Sequence, residues 1–280
     1  MLIPLKKKVV MWIVLTIIVL LTSLNYILSS VLSGIPVLNY HQINNEAHNA
    51  LTLSSQEFDA QMEYLYNNGY TTISPNQLVD YLQYGTELPP NPVLITFDDG
   101  YVDNYNVAYP ILQKYNLKAT IFVITDFVGN NGRYLSWKQV REMHNNGFNF
   151  QSHTLSHMLL ANVSDEEVLS QLIKSREGIE WRLKEKVEYL AYPGGAYDPR
   201  TIELAKQAGY RAAFTINLGR DTKNCGLFTL NRIPIFQTSH SLLHFKLRLK
   251  FTQALLAMQE IKSLLNQFGA SKIANWIYIP

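Results

Sequence analysis

The stretch PVLITFDDGYVDNY, Pro92 to Tyr105, decides how the rest of the chain is read. Val93-Leu94-Ile95-Thr96-Phe97 is a short, mostly apolar run rich in strand formers and closed by a turn signal, so it reads as a buried strand. Two adjacent carboxylates, Asp98 and Asp99, end the run, and Gly100 follows them. At the mouth of a buried strand such a pair repels itself and loses hydration. That costs stability unless a cation or a proton relieves it.

Outward from this strand, short apolar runs alternate with helical spacing. Ser54 to Asn68 carries an N-cap serine and apolar residues at Phe58, Met62, Leu65 and Tyr66, as an amphipathic helix does. A short strand and a second helix ending at Gly85 precede the central run, and KATIFVIT (Lys118 to Thr125) follows it as a strand. SWKQVREMHNNG reads as a helix closed by Gly147, and FNFQSH as the next strand. A long helix from Ser164, the strand VEYLAYP, the helix DPRTIELAKQAGY and the strand RAAFTI complete the pattern. This alternation predicts a parallel α/β fold, most simply a (β/α) barrel. The tail, 245–280, differs. FKLRLKF (Phe245 to Phe251) alternates as a strand would, and the amphipathic helix behind it ends at Gly269. With five Lys or Arg against one acid, this tail is expected to cover an open side of the domain or to lie on an anionic membrane face.

The 280 residues are 47% hydrophobic and 16% charged, which suits a globular domain joined to a membrane segment and excludes a largely disordered chain. Lys6, Lys7 and Lys8 stand before an uncharged apolar run from Val9 to Leu28, long enough to cross a bilayer core of about 30 Å as a helix. The positive-inside rule puts everything after Ser29 outside the cytoplasm. Residues 1–34 are therefore expected to be cytoplasmic lysines, a single-pass anchor and a linker. A cleaved signal peptide, leaving a secreted domain, is the competing reading, although its apolar core usually runs to about 7–15 residues. Setting the three lysines aside leaves 21 of the 24 basic side chains against 22 acidic ones, so the exported part has no basic surplus for nucleic acid. Cys225 is the single cysteine, which excludes an internal disulfide framework.

FQSHTLSHM places His153 and His157 four apart, directly after a predicted strand. In a helical or turn-like segment two such residues share a face and converge on one metal. Two imidazoles and one carboxylate leave a zinc-like ion an open position for water, which the ion acidifies toward neutral pH. Asp99 would then be the third ligand and Asp98 the neighbouring base, because consecutive strand residues project in different directions. The same histidine spacing recurs at His240 and His244, and an Asp-Asp-Gly alone is often only a turn. Shared context separates the two cases: both the Asp-Asp and the His153/His157 motifs sit where a strand gives way to its loop, and barrel active sites are built at that end.

TFDDG together with SHTLSH, supported by YLSWKQVREM, LAYPGGAYD and AAFT, resembles the polysaccharide deacetylases of the NodB-homology type, carbohydrate esterase family 4. The resemblance runs from about Ile35 to about Phe236, within a domain set at residues 35–244. It implies a distorted (β/α) barrel of about seven repeats. It also implies Asp98 as catalytic base and Asp99, His153 and His157 as ligands of a divalent metal, Zn²⁺ by expectation. The usual third motif has an arginine where this chain has Ala191, in AYPGG. The N–H of Gly194, after Pro193, can still serve an oxyanion hole, since a main-chain donor does not depend on side-chain identity. The sequence alone leaves open whether Arg232 in LNRIPI supplies the lost guanidinium.

The Leu-x-His pattern that many members carry near the end of the domain is absent, and PVLNYHQI instead puts His41 at the end of the first strand. This resembles the branch that deacetylates poly-β-1,6-N-acetylglucosamine, in which the barrel order is permuted and that histidine comes first. His41 is the expected general acid, with His240 and His244 as rivals. Tyr101, Pro193, Tyr197 and Trp137 are candidates to line the sugar groove. The expected protein is thus a monomeric, membrane-anchored, extracytoplasmic N-deacetylase acting on N-acetylated polysaccharide. Peptidoglycan or chitooligosaccharides are alternative substrates, and a catalytically weak glycan-binding module is the alternative of a different class.

Overall fold

The apolar run at the centre of the chain does form a strand, and it reaches further than its apolar residues. Pro92–Asp99 includes both carboxylates, and every residue after Pro92 is buried. The computed structural model describes residues 34–47, 49–238 and 240–275. The expected anchor over Val9–Leu28 and its lysines lie outside these residues. Among the described residues, no helix is long and apolar enough to cross a membrane.

Seven strands build the barrel: β1 (Val37–Tyr40), β2 (Pro92–Asp99), β3 (Thr120–Val123), β4 (Asn149–Ser152), β5 (Tyr189–Ala191), β6 (Ala212–Leu218) and β7 (Leu230–Pro234). Neighbours in this series pair in parallel, and β1 closes the ring by pairing with both β7 and β2. Strands buried on both faces read as near-continuous apolar runs, which is why Val37-Leu38 and Val93-Leu94-Ile95 show little alternation. Helices α1 (Ser55–Asn67), α2 (Pro75–Tyr84), α3 (Tyr109–Lys114), α4 (Trp137–Asn145), α5 (Asp165–Leu183) and α6 (Pro199–Gln207) flank the strands. Their starts are set by local chemistry: Ser54, Ser74, Ser136 and Ser164 each accept a hydrogen bond from an N–H of the first turn. The ring is uneven. Both α1 and α2 fall between β1 and β2, whereas only a 3₁₀ turn, Leu227–Thr229, separates β6 from β7.

One predicted element is corrected. Phe245–Phe251 is part of a helix, α7 (Ser241–Gln267), and not a strand. Phe245 and Leu249 are both buried, four residues apart, so the burial follows a helical face. Seven residues of apolar-basic alternation satisfy either period, and packing against the barrel core decided between them.

The loop between β6 and β7 buries a carboxyl group. Asp221 has no exposed surface; its N–H and C=O pair with those of Ile35 at 3.0 and 2.8 Å, tying down the chain just before β1. Its Oδ1 accepts from the N–H and the amide of Asn231, yet burial still pushes the carboxyl up to about 6. A folded-state pKa above the unfolded value of about 3.9 means that folding takes up a proton between those pH values. Stability therefore falls as pH rises through this window and stays at the lower level above about 6. Asp221→Asn is expected to raise stability by about 2–3 kcal/mol at pH 7.5 and by almost nothing at pH 4. Melting temperatures at the two pH values check this, and an equal shift at both would reject it.

Candidate active site

The predicted site residues meet at one end of the barrel, where the parallel strands finish. Asp98 and Asp99 are the last residues of β2, His41 follows β1, His153 follows β4, and Pro193 and Gly194 lie beyond β5. Asp99 has φ +73° and Gly100 φ +74°. A Cβ at position 100 would stand 2.9 Å from Val123 Cγ1, so glycine is required there for both conformation and space. The loop carrying the histidines is turn-like, with Thr154 and His157 also at positive φ. Hydrogen bonds hold it in that shape: Thr154 N–H donates to Ser152 Oγ at 3.1 Å, and His157 N–H to Thr154 Oγ1 at 3.0 Å.

This shape brings three donor atoms together. His153 Nε2 and His157 Nε2 each lie 3.4 Å from Asp99 Oδ1, and the candidate ligand atoms are all within 4.8 Å of one another. His153 Nδ1–H donates to the carbonyl oxygen of Ala191 at 2.7 Å, which fixes the tautomer and turns the Nε2 lone pair toward Asp99. Asp99 Oδ1 is buried without a hydrogen-bond partner among the described residues, as a ligand oxygen awaiting a cation would be. Burial works to raise the Asp99 pKa, but His153 more than offsets it and the carboxyl falls below its ordinary value. Burial lowers His157, with His153 adding to the effect. A divalent cation fits this donor set.

Asp98 belongs to a different network. Arg232 on β7 reaches across the barrel interior and donates from Nη1 and Nη2 to Asp98 Oδ1 and Oδ2, both at 2.7 Å. Its Nε donates to the Thr215 carbonyl oxygen at 2.7 Å, and Nη1 to Thr96 Oγ1 at 3.3 Å. Asn39 Nδ2 donates to Asp98 Oδ2 at 3.0 Å, and His41 Nε2 stands 3.9 Å from the same oxygen. Arg232 is fully buried and Asp98 nearly so. Burial alone would raise Asp98, but the Arg232 charge and its hydrogen bonds hold the carboxyl well below the usual carboxylate range. His41 is lowered by burial, partly opposed by Asp98 and Asp99. The guanidinium absent at Ala191 therefore arrives from Arg232, two strands further on. Asn39, Thr96 and Thr215 were missed in the sequence. A signal existed for two of them: Thr96 shares a strand face with Asp98, and Asn39 is the polar residue interrupting VLNYH, in register with Thr96.

The remaining candidates lie outside these two networks. Tyr101 stacks on Tyr134 at 5.3 Å, and burial, then the Asp99 charge, raises its pKa. Tyr197 stacks on Tyr192 at 5.3 Å. Pro193 is buried, while Gly194 is exposed at φ +60°. Trp137 opens α4, packs against the core and carries the Arg182 guanidinium over its ring. His240 and His244 face each other at the start of α7, where His244 Nδ1 bonds Thr238 Oγ1.

The polysaccharide deacetylase family profile matches residues 85–213. YxkH of Bacillus subtilis (strain 168), itself named for polysaccharide deacetylation, is 34% identical over 72% of this chain and 71% of its own. The poly-β-1,6-N-acetyl-D-glucosamine N-deacetylase of Staphylococcus aureus (strain N315) is 29% identical over 66% of this chain and 68% of its own. The solved structure of the Streptococcus pyogenes deacetylase PplD, in complex with acetate, superposes with a TM-score of 0.70 at 33% identity, over 73% of this chain and 93% of that one. IcaB from Ammonifex degensii gives 0.68 at 27% identity, over 77% and 97%. Sequence and barrel thus agree on one assignment: the chain belongs to the polysaccharide deacetylase family and is a hydrolase of that kind.

Proposed function

We propose that the protein removes acetyl groups from N-acetylglucosamine units of an extracytoplasmic polysaccharide, with poly-β-1,6-N-acetylglucosamine as the polymer. The observation that carries this reading is the ionised Asp98, fixed by Arg232 between His41 and the Asp99–His153–His157 cluster. Deacetylases of the family depend on a metal. Held by Asp99, His153 and His157, a divalent ion supplies Lewis-acid chemistry, acidifying water and polarising the acetamide carbonyl. Zinc suits two imidazoles and a carboxylate.

Asp98 takes a proton from the attacking water, and its pairing with Arg232 keeps it unprotonated until then. The water oxygen bonds to the carbonyl carbon, and the Gly194 N–H stabilises the developing oxyanion. The C–N bond then breaks, acetate leaves, and His41 gives its proton to the departing glucosamine nitrogen. Burial leaves His41 neutral at rest, so the proton it delivers is the one released through Asp98. Tyr101, Tyr197 and Pro193 line the sugar groove in this reading. The β-1,6 linkage is favoured because the histidine nearest Asp98 comes from the first strand, and because the Staphylococcus aureus relative is named for that polymer. The lysine-flanked apolar run, read by the positive-inside rule, supports a domain on the outer side of a membrane.

Full-length protein with zinc should release acetate from β-1,6-linked N-acetylglucosamine oligomers and lose that activity on chelation. Release from β-1,4-linked oligomers alone would move the substrate to cell-wall or chitin-like polymers. No release from either would defeat the reading.

A further inference from the structure

His41 sits where the chain leaves the barrel. Tyr40 ends β1, the two-residue strand Gln42–Ile43 pairs with Thr52–Leu53, and His41 is the single residue between them. Its carbonyl oxygen accepts from Asn104 Nδ2 at 2.8 Å. The same Nδ2 donates to Asp103 Oδ1 at 3.1 Å, and Asp103 Oδ2 accepts from Asn44 Nδ2 at 2.7 Å. The main-chain N–H of Ile43 also stabilises the Asp103 charge. Asp103 and Asn104, both buried, thus grip the chain at positions 41, 43 and 44 from the loop that follows Asp98 and Asp99.

The pair serves this grip ahead of its own helix. An aspartate before a helical turn ordinarily accepts from an N–H of that turn, yet Asp103 makes no such bond. The turn it precedes, Asn104–Ala108, is a π-helix, a wide form found mostly as single turns and frequently at functional sites. Asn104 Oδ1 is buried without a hydrogen-bond partner among the described residues. Turning the amide over would bring that oxygen against two acceptors, so Nδ2 must face His41 and Asp103. A buried amide that leaves its acceptor unmet is costly, and packing alone would be served better by an apolar side chain of the same shape. What Asn104 secures is the main chain of His41.

We propose that Asp103 and Asn104 are positioning residues for His41, clamping the chain that carries the acid to the loop that carries the base. The proposal rests on the deacetylase reading, in which His41 gives its proton to the departing glucosamine nitrogen. Asn104 acts on the main chain of His41, so it sets where the imidazole stands relative to Asp98. A proton donor displaced by about 1 Å forfeits on the order of 10² in rate.

The test compares kcat and KM of the zinc-loaded full chain on the β-1,6-linked N-acetylglucosamine tetramer. Asn104→Ala should lower kcat by about 10²-fold and leave KM within about threefold. The same substitution in a His41→Ala background should cost less than about threefold more, because its effect passes through His41. Asp103→Asn, which keeps the side-chain shape, should show the same dependence on His41 with a smaller loss, about tenfold. In both variants the amides of Gln42 to Asn44 should exchange with solvent faster, at least about tenfold in Asn104→Ala, while those of β4 stay unchanged. Losses that multiply in the double variant, or exchange unchanged at 42–44, would overturn the positioning role. His41→Ala with wild-type kcat would overturn it too, since there would be no acid to position. Faster exchange in the variants of a wild type that releases no acetate upholds the clamp and defeats the deacetylation reading.

Discussion

Asp98→Asn is expected to cut acetate release by about 10²- to 10⁴-fold while zinc stays bound at one per chain, the range over which a positioned general base acts. The separation follows from the geometry. Asp99, His153 and His157 form the cluster that could hold a cation, and Asp98 spends its oxygens on Arg232 and Asn39. An asparagine keeps the size and loses the charge, so Arg232 is left ionised in a dry interior. That costs several kcal/mol of stability, and activity must be normalised to folded protein by near-ultraviolet circular dichroism. Zinc stoichiometry by atomic absorption completes the test. A variant that loses its metal, or that retains turnover within tenfold of wild type, would deny Asp98 the role of base.

Arg232→Met should have the largest effect on stability, a loss of about 3–5 kcal/mol at pH 7.5, because it strands a buried carboxylate. In the wild type the Asp98 pKa is depressed, so its contribution is present above the unfolded value of about 3.9 and is lost as pH falls toward the folded value. Without Arg232, burial dominates and the Asp98 pKa rises above the unfolded value, so the variant recovers stability on acidification. The gap between wild type and variant should therefore narrow from pH 7.5 to pH 4, and the acidic limb of the rate profile should move to higher pH. Urea denaturation at the two pH values reads the first effect. An unchanged gap would mean that the pair contributes packing alone. Arg232→Lys should rescue little, since a lysine cannot reproduce the two-pronged contact.

What was legible in the sequence was what is local. The strand before Asp98, the two histidines after β4 and the serine caps each lie within a few residues of the signal that announces them. The Asp99–His153–His157 cluster was readable because each half is contiguous and sits at a strand end. Arg232 could only be posed as a question, because it meets Asp98 across 134 positions of chain and no periodicity links them. Its neighbour Asn39 carries a weaker signal still, a single polar residue in a buried strand. Phe245–Phe251 failed for the opposite reason. Its local pattern was clear but fitted two periods, and burial of Phe245 and Leu249 selected the helical one.

The pairing of β1 with both β7 and β2 also sets an order of assembly. A ribosome or translocase delivers β2 and its carboxylates long before β7, and until β7 docks on β1 there is no guanidinium beside Asp98. The nascent domain is then an open sheet with an unpaired acid and two unsatisfied edges, and its closing contact joins segments nearly 200 residues apart. Contacts of that span form slowly. Hydrolytic competence should thus appear only once β7 has docked, so the barrel withholds its chemistry until its last strand has arrived.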